Sequence, residues 1–199
     1  MMANTILVST AAVATLMLYK TTIGTASVTV VHVRSRVDGT EYLVQDLPNK
    51  QQAADNLATL VLRMKKLIQY MENRYPADER TGLLKDRFNP EVISEGSNYD
   101  QNYTSYSVDK GQKIVFCLRD RNPENSLVDI NTMTFVALHE MAHLCTNDAN
   151  NSHSDIFWKN FKFILDLSQQ PDLSIYVEQN FRRMPKEYCG MQISDSPAL

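Results

Sequence analysis

The 199-residue chain is poor in cysteine, in net charge and in long apolar runs. Its three cysteines, Cys117, Cys145 and Cys189, form no CxxC pair. The odd count and wide spacing argue against a disulfide framework and fit a reducing compartment. Cys145 reads as helix packing. Net charge is −3, so the basic footprint of a nucleic-acid binder is missing. Repeats and low-complexity tracts are absent. With 43% hydrophobic and 22% charged residues, bulk disorder is excluded. The length suits one domain with a sizeable core.

Charge is scarcest at the start. Residues 1–33 hold one charged side chain, Lys20. The apolar run 5–19 is short for a membrane span, which needs about 20 residues. Extension to 3–23, with Lys20 snorkelling to the headgroups, supplies the length. The reading is an N-terminal transmembrane anchor over 1–24, followed by one domain over 25–199. A cleaved signal peptide ending near Gly24-Thr25-Ala26 competes with it, as does a buried strand or helix. Lys20, Arg34 and Arg36 follow the run and no cation precedes it. The positive-inside rule then expects a single-pass membrane protein with a cytoplasmic C-terminal domain, in a cell or virion membrane. The sequons at Asn102 and Asn150 would be unused there.

What the chain does have is histidine in one place. Three of its four histidines lie at 139, 143 and 153, and the first two form His-Glu-Met-Ala-His. The residues just before them, Met133 and Phe135 to Leu138, are apolar and free of Gly and Pro, which predicts a buried helix capped by Asp129 or Asn131 and running to about Thr146. Residues four apart on a helix lie about 40° apart around the axis and roughly 6 Å along it. His139 and His143 can therefore hold one metal ion together. Glu140 falls beside that ion, where a carboxylate can take a proton from a water whose pKa zinc lowers to about 7. His-Glu-x-x-His on a helix is the metallopeptidase signature. A catalytic zinc takes a third protein ligand, and His153 is the candidate, with Asp148, Asp155 and Glu178 as competitors. Ser152 and Asp155 fit a capping box, so a second helix is expected to start at His153, with Ile156, Phe157, Phe161, Ile164 and Leu165 on its apolar face. The remaining histidine, His32, reads as a packed or surface residue.

The run HEMAH, a polar loop, then HSDIFWKNF resembles the core of the WLM and SprT-like zinc peptidases. A broader likeness, through FNPEVISEG, YTSYSVDKGQKIVFCLR, NSLVDINTMTFVALHE and EYCG, is to single-span proteins of large DNA viruses that carry a WLM-like core. The resemblance implies zinc on His139, His143 and His153, with Glu140 as general base. It also implies a zincin-like α+β fold: a small, partly antiparallel sheet, a backing helix and the active-site helix. The loop before His153 is longer than in the WLM families, and it lacks the Gly of the metzincin linker.

The other elements follow from pattern. Residues 28–36 and 41–44 flank Asp38-Gly39 as a hairpin. Residues 49–73 carry an apolar stripe at the helical period and supply the backing helix. A short helix is expected within 78–88, and 173–184 reads as another. Residues 103–108 and 113–118 form a hairpin that could hold a substrate backbone as an added strand. Residues 185–193 read as a turn and a short strand. Tyr103, Tyr106 and Tyr188 are candidates to stabilise an oxyanion.

The expected protein is a membrane-anchored zinc metallopeptidase acting on a protein or peptide. The alternative is a non-catalytic anchored module that keeps zinc for structure or interaction, although structure alone does not need Glu140. DNA–protein crosslink repair, suggested by the WLM likeness, is opposed by the acidic balance.

Overall fold

The computed structural model describes residues 29–96, 104–148 and 153–197. β1 (Val30–Arg34) and β2 (Glu41–Gln45) pair antiparallel around the Asp38-Gly39 turn. Gly39 has φ +75, a left-handed value that glycine adopts without a Cβ penalty. α1 (Lys50–Arg74) follows and buries Ala53, Ala54, Leu57, Leu60, Val61, Met64, Leu67, Ile68 and Met71. That stripe lies against the β1–β2 hairpin on one side and the histidine-bearing helix on the other. Each fully buried leucine in it contributes about 2 kcal/mol. α2 (Glu79–Arg87) starts at Asp78, whose carboxylate accepts the Arg80 N–H.

A three-stranded sheet comes next, in the order β3 (Ile93–Glu95), β5 (Lys113–Phe116), β4 (Tyr106–Val108). β3 runs parallel to β5 and β4 antiparallel to it, so β4 is an edge strand. Glu95 joins this sheet to the first hairpin by accepting the Gln45 N–H. α3 (Ile130–Leu144) and α4 (Asp155–Ser168) pack on each other, and α3 also packs on α1. A last hairpin, β6 (Lys186–Tyr188) and β7 (Met191–Ile193), follows, and the described residues form an α+β fold of small sheets and four α-helices.

Several expectations are corrected. Residues 171–185 are not helical. Leu173, Ile175, Tyr176 and Phe181 are buried, but Ser174 has φ +47, and the Ile175 and Tyr176 N–H groups both turn back to Ser168 O. Residues 185–193 form two strands rather than one. α4 begins at Asp155, not His153, because Ser154 is the cap, accepting the Phe157 N–H. The expectation of unpaired cysteines also fails: Cys117 and Cys189 form a disulfide. They lie 72 residues apart, and only the docking of the last hairpin beside β5 brings them together. Cys145 is free and buried, and burial pushes its thiol up to about 12.

The single-pass membrane topology with a cytoplasmic domain is corrected too. No helix among the described residues is long and apolar enough to cross a membrane. The longest, α1, carries Arg63, Lys65 and Lys66 within its length. The cysteine argument for the cytoplasm falls with the disulfide. The proposed anchor, 1–24, lies outside the described residues, as do Tyr103 and Ser152.

Candidate functional site

Asp129 opens α3, its carboxylate accepting the N–H groups of Asn131 and Thr132 and the Thr132 hydroxyl. From Thr132 onward nearly every α3 residue is buried, which fixes the rotation of the helix and aims His139 and His143 the same way. The third imidazole arrives just ahead of α4. His143 Nε2 lies 3.2 Å and His153 Nε2 3.0 Å from His139 Nε2. All three ligand atoms fall within 4.8 Å of one another, and among the described residues this is the metal-competent group. Phe157 forms the floor, its ring 4.3 to 4.9 Å from each of the three imidazoles. Phe161 lies under His139 at 5.2 Å.

Two ligands of a tetrahedral zinc, each about 2.05 Å from the ion, stand about 3.3 Å apart, close to the 3.2 and 3.0 Å that separate His143 and His153 from His139. Burial, with His143 and His153 adding to it, pushes His139 down to about 3. Burial and His153 push His143 down to about 4. Both rings are therefore neutral at neutral pH, as metal ligation requires. The donor set fits zinc, with nitrogen ligands and an open side toward the cleft.

Glu140 is 4% exposed. Burial raises its carboxyl to about 7, with Ser107 on β4 drawing it back down. A cation beside it would favour the ionised form. The competing ligands are elsewhere. Asp148 accepts the Ser154 hydroxyl and faces Lys110. Glu178 accepts from Gln169, and Asp155 is exposed in the first turn of α4.

The imidazoles and Glu140 open onto a cleft of about 420 Å³. It is lined by Thr104 to Ser107, which lead into and begin β4, and by the last hairpin, through Tyr188, Met191, Gln192 and Ile193. Tyr188 is spent on structure. Its hydroxyl donates to Cys117 O at 2.8 Å and accepts from Ser105 Oγ at 2.6 Å. Tyr106 remains in the cleft wall. The Phe157 floor was partly visible in the sequence, since it stands four residues after His153. The wall made by β7 carried no such signal.

No known protein-family profile matches the chain. An uncharacterized protein of Acanthamoeba polyphaga mimivirus, R325, is 34% identical over 168 residues, covering 82% of each chain. An uncharacterized protein of Invertebrate iridescent virus 6, 136R, is 25% identical over 194 residues, or 95% of this chain and 99% of the relative. Among solved structures, Wss1 from Saccharomyces cerevisiae aligns with a TM-score of 0.41 at 19% identity, over 60% of this chain and 78% of its own. On its extended identity with the mimivirus protein, the chain belongs to the viral family of R325.

Proposed function

We propose that the protein is a zinc-dependent metallopeptidase. The observation that carries this reading is the meeting of three imidazole nitrogens and a buried carboxylate in a cleft flanked by an edge strand. His139, His143 and His153 are the zinc ligands. Zinc held there would supply a Lewis acid for the scissile carbonyl and lower the pKa of a water to about 7. Glu140 is the general base. Its carboxylate takes the proton of the attacking water and passes it to the leaving amine nitrogen. β4, an edge strand of its sheet, is the element on which an extended polypeptide would add as a further strand. Met191 and Ile193 add apolar surface to the cleft lining.

The test uses the purified full chain, with zinc read by elemental mass spectrometry and cleavage read on a quenched fluorescent peptide library. The wild type is expected to hold about one zinc per chain. Glu140→Gln should keep zinc and lose at least about a hundredfold in cleavage. Folded wild type without zinc, or Glu140→Gln that still cleaves, overturns the proposal. Zinc bound without any cleavage would leave a structural or interaction role for the metal.

A further inference from the structure

His139 and His143 are fixed by one helix, but His153 is not. Its placement depends on the two ends of the segment that leaves α3 and enters α4. Those ends are fastened to each other: the Ser154 hydroxyl, which also caps α4, donates to Asp148 Oδ2 at 3.1 Å. The Asp148 side is then gripped from the β4–β5 turn. Lys110 Nζ donates to Thr146 O at 2.8 Å and to Asp148 O at 2.6 Å, and stands 3.8 Å from Asp148 Oδ1.

That grip is built at a conformational cost. Asp109 and Lys110 are consecutive non-glycine residues in the left-handed region, with φ +44 and +53. Such outliers persist where the surroundings hold them, and they gather at functional sites. The surroundings here are tight. Gly111 follows at φ +109, and a Cβ on it would come within 2.2 Å of Arg87 O. The turn is thus pressed against the end of α2. Arg87 itself donates to Leu144 O at 2.8 Å, so the last carbonyls of α3 have a second cationic partner. Two cations on a helix C-terminus are an ordinary stabilising device. Only Lys110 reaches on to Asp148, and through Asp148 to Ser154.

We propose that Lys110 is a positioning residue for His153, holding the third imidazole against the other two through Asp148 and Ser154. The proposal rests on the zinc-site reading above. It also ties the third ligand to the turn of the strand pair that lines the cleft.

The experiment measures zinc affinity by chelator competition on the full chain, with chemical denaturation of each variant alongside. Lys110→Met is expected to weaken zinc about tenfold, as loss of an outer-shell partner does. In a His153→Ala background the same change should have no further effect on affinity. Lys110→Arg should restore most of the loss. With cobalt in place of zinc, the visible absorption of a tetrahedral site should change in Lys110→Met. Asp148→Ala, which leaves the lysine's bond to Thr146 O, serves if Lys110→Met does not fold, and the same pattern is expected of it. Unchanged affinity overturns the inference, and so does an equal loss with and without His153, which would mark a general structural role. A wild type that binds no zinc instead fails the metallopeptidase reading itself.

Discussion

Replacing Glu95 probes the pair that ties the central sheet to the rest of the fold. Glu95 and Arg119 are 0% and 1% exposed at their side chains, with Arg119 Nε donating to Glu95 Oε1 at 2.6 Å. The other carboxylate oxygen accepts the Gln45 N–H at 2.7 Å. Arg119 Nη1 also donates to Asn49, the residue before α1. Its Nη2 has no partner among the described residues. Burial outweighs the guanidinium and holds the Glu95 carboxyl above its ordinary range. Glu95→Ala would leave a buried cation without its counterion and a buried N–H without its acceptor. That costs about 3–5 kcal/mol, a large part of the roughly 5–15 kcal/mol that stabilises a domain. The pair itself is expensive to desolvate, so Glu95→Leu with Arg119→Met should recover part of that loss, the orphaned Gln45 N–H keeping a cost of about 1–3 kcal/mol. Urea denaturation followed by Trp158 fluorescence and circular dichroism measures both. A loss under about 1 kcal/mol for Glu95→Ala, or a double variant as unstable as the single one, would refute the reasoning.

Two further outcomes follow from the site's supports. Asp129→Ala should cost about 1 kcal/mol through loss of the α3 cap. Burial works against the Asp129 carboxylate, but Thr132, Lys186 and the Asn131 N–H hold its carboxyl below the ordinary range. Its contribution is therefore present above the unfolded value and lost as pH falls through the folded one. The gap between wild type and variant should close on acidification, and a gap that widens instead would contradict the assignment. The Cys117–Cys189 bond closes a long loop, so reduction should cost about 4 kcal/mol by chain entropy. Peptide mapping under non-reducing conditions should find these two linked and Cys145 alone free. Alkylation of all three thiols in the folded protein would rule the bond out.

The helices were legible because their signals are local. The stripe from Ala53 to Met71 has one period, and α1 follows it within a residue. The short helix falls within 78–88 as expected, and Asp129, one of the two candidate caps, opens α3. The convergence of His139 and His143 follows from the same arithmetic. The failures are of two kinds. The segment after α4 has helical composition, but Leu173, Tyr176 and Phe181 are held by tertiary burial in an irregular path, which periodicity does not register. Cys117 and Cys189, like Lys110 and Asp148, meet through packing between elements distant in the chain. The capping-box spacing of Ser152 and Asp155 points to a start at His153, whereas Ser154 is the residue that accepts the Phe157 N–H, so the helix begins at Asp155.

One side of the cleft is built from residues 188–193, which follow His153 by 35 to 40 positions in the chain. The three imidazoles and Glu140 are thus synthesised well before the groove that surrounds them has two sides. Until the final hairpin docks and Cys189 reaches Cys117, a polypeptide laid along β4 has nothing closing over it. A confined groove therefore depends on the docking of this hairpin as well as on the residues of the histidine cluster.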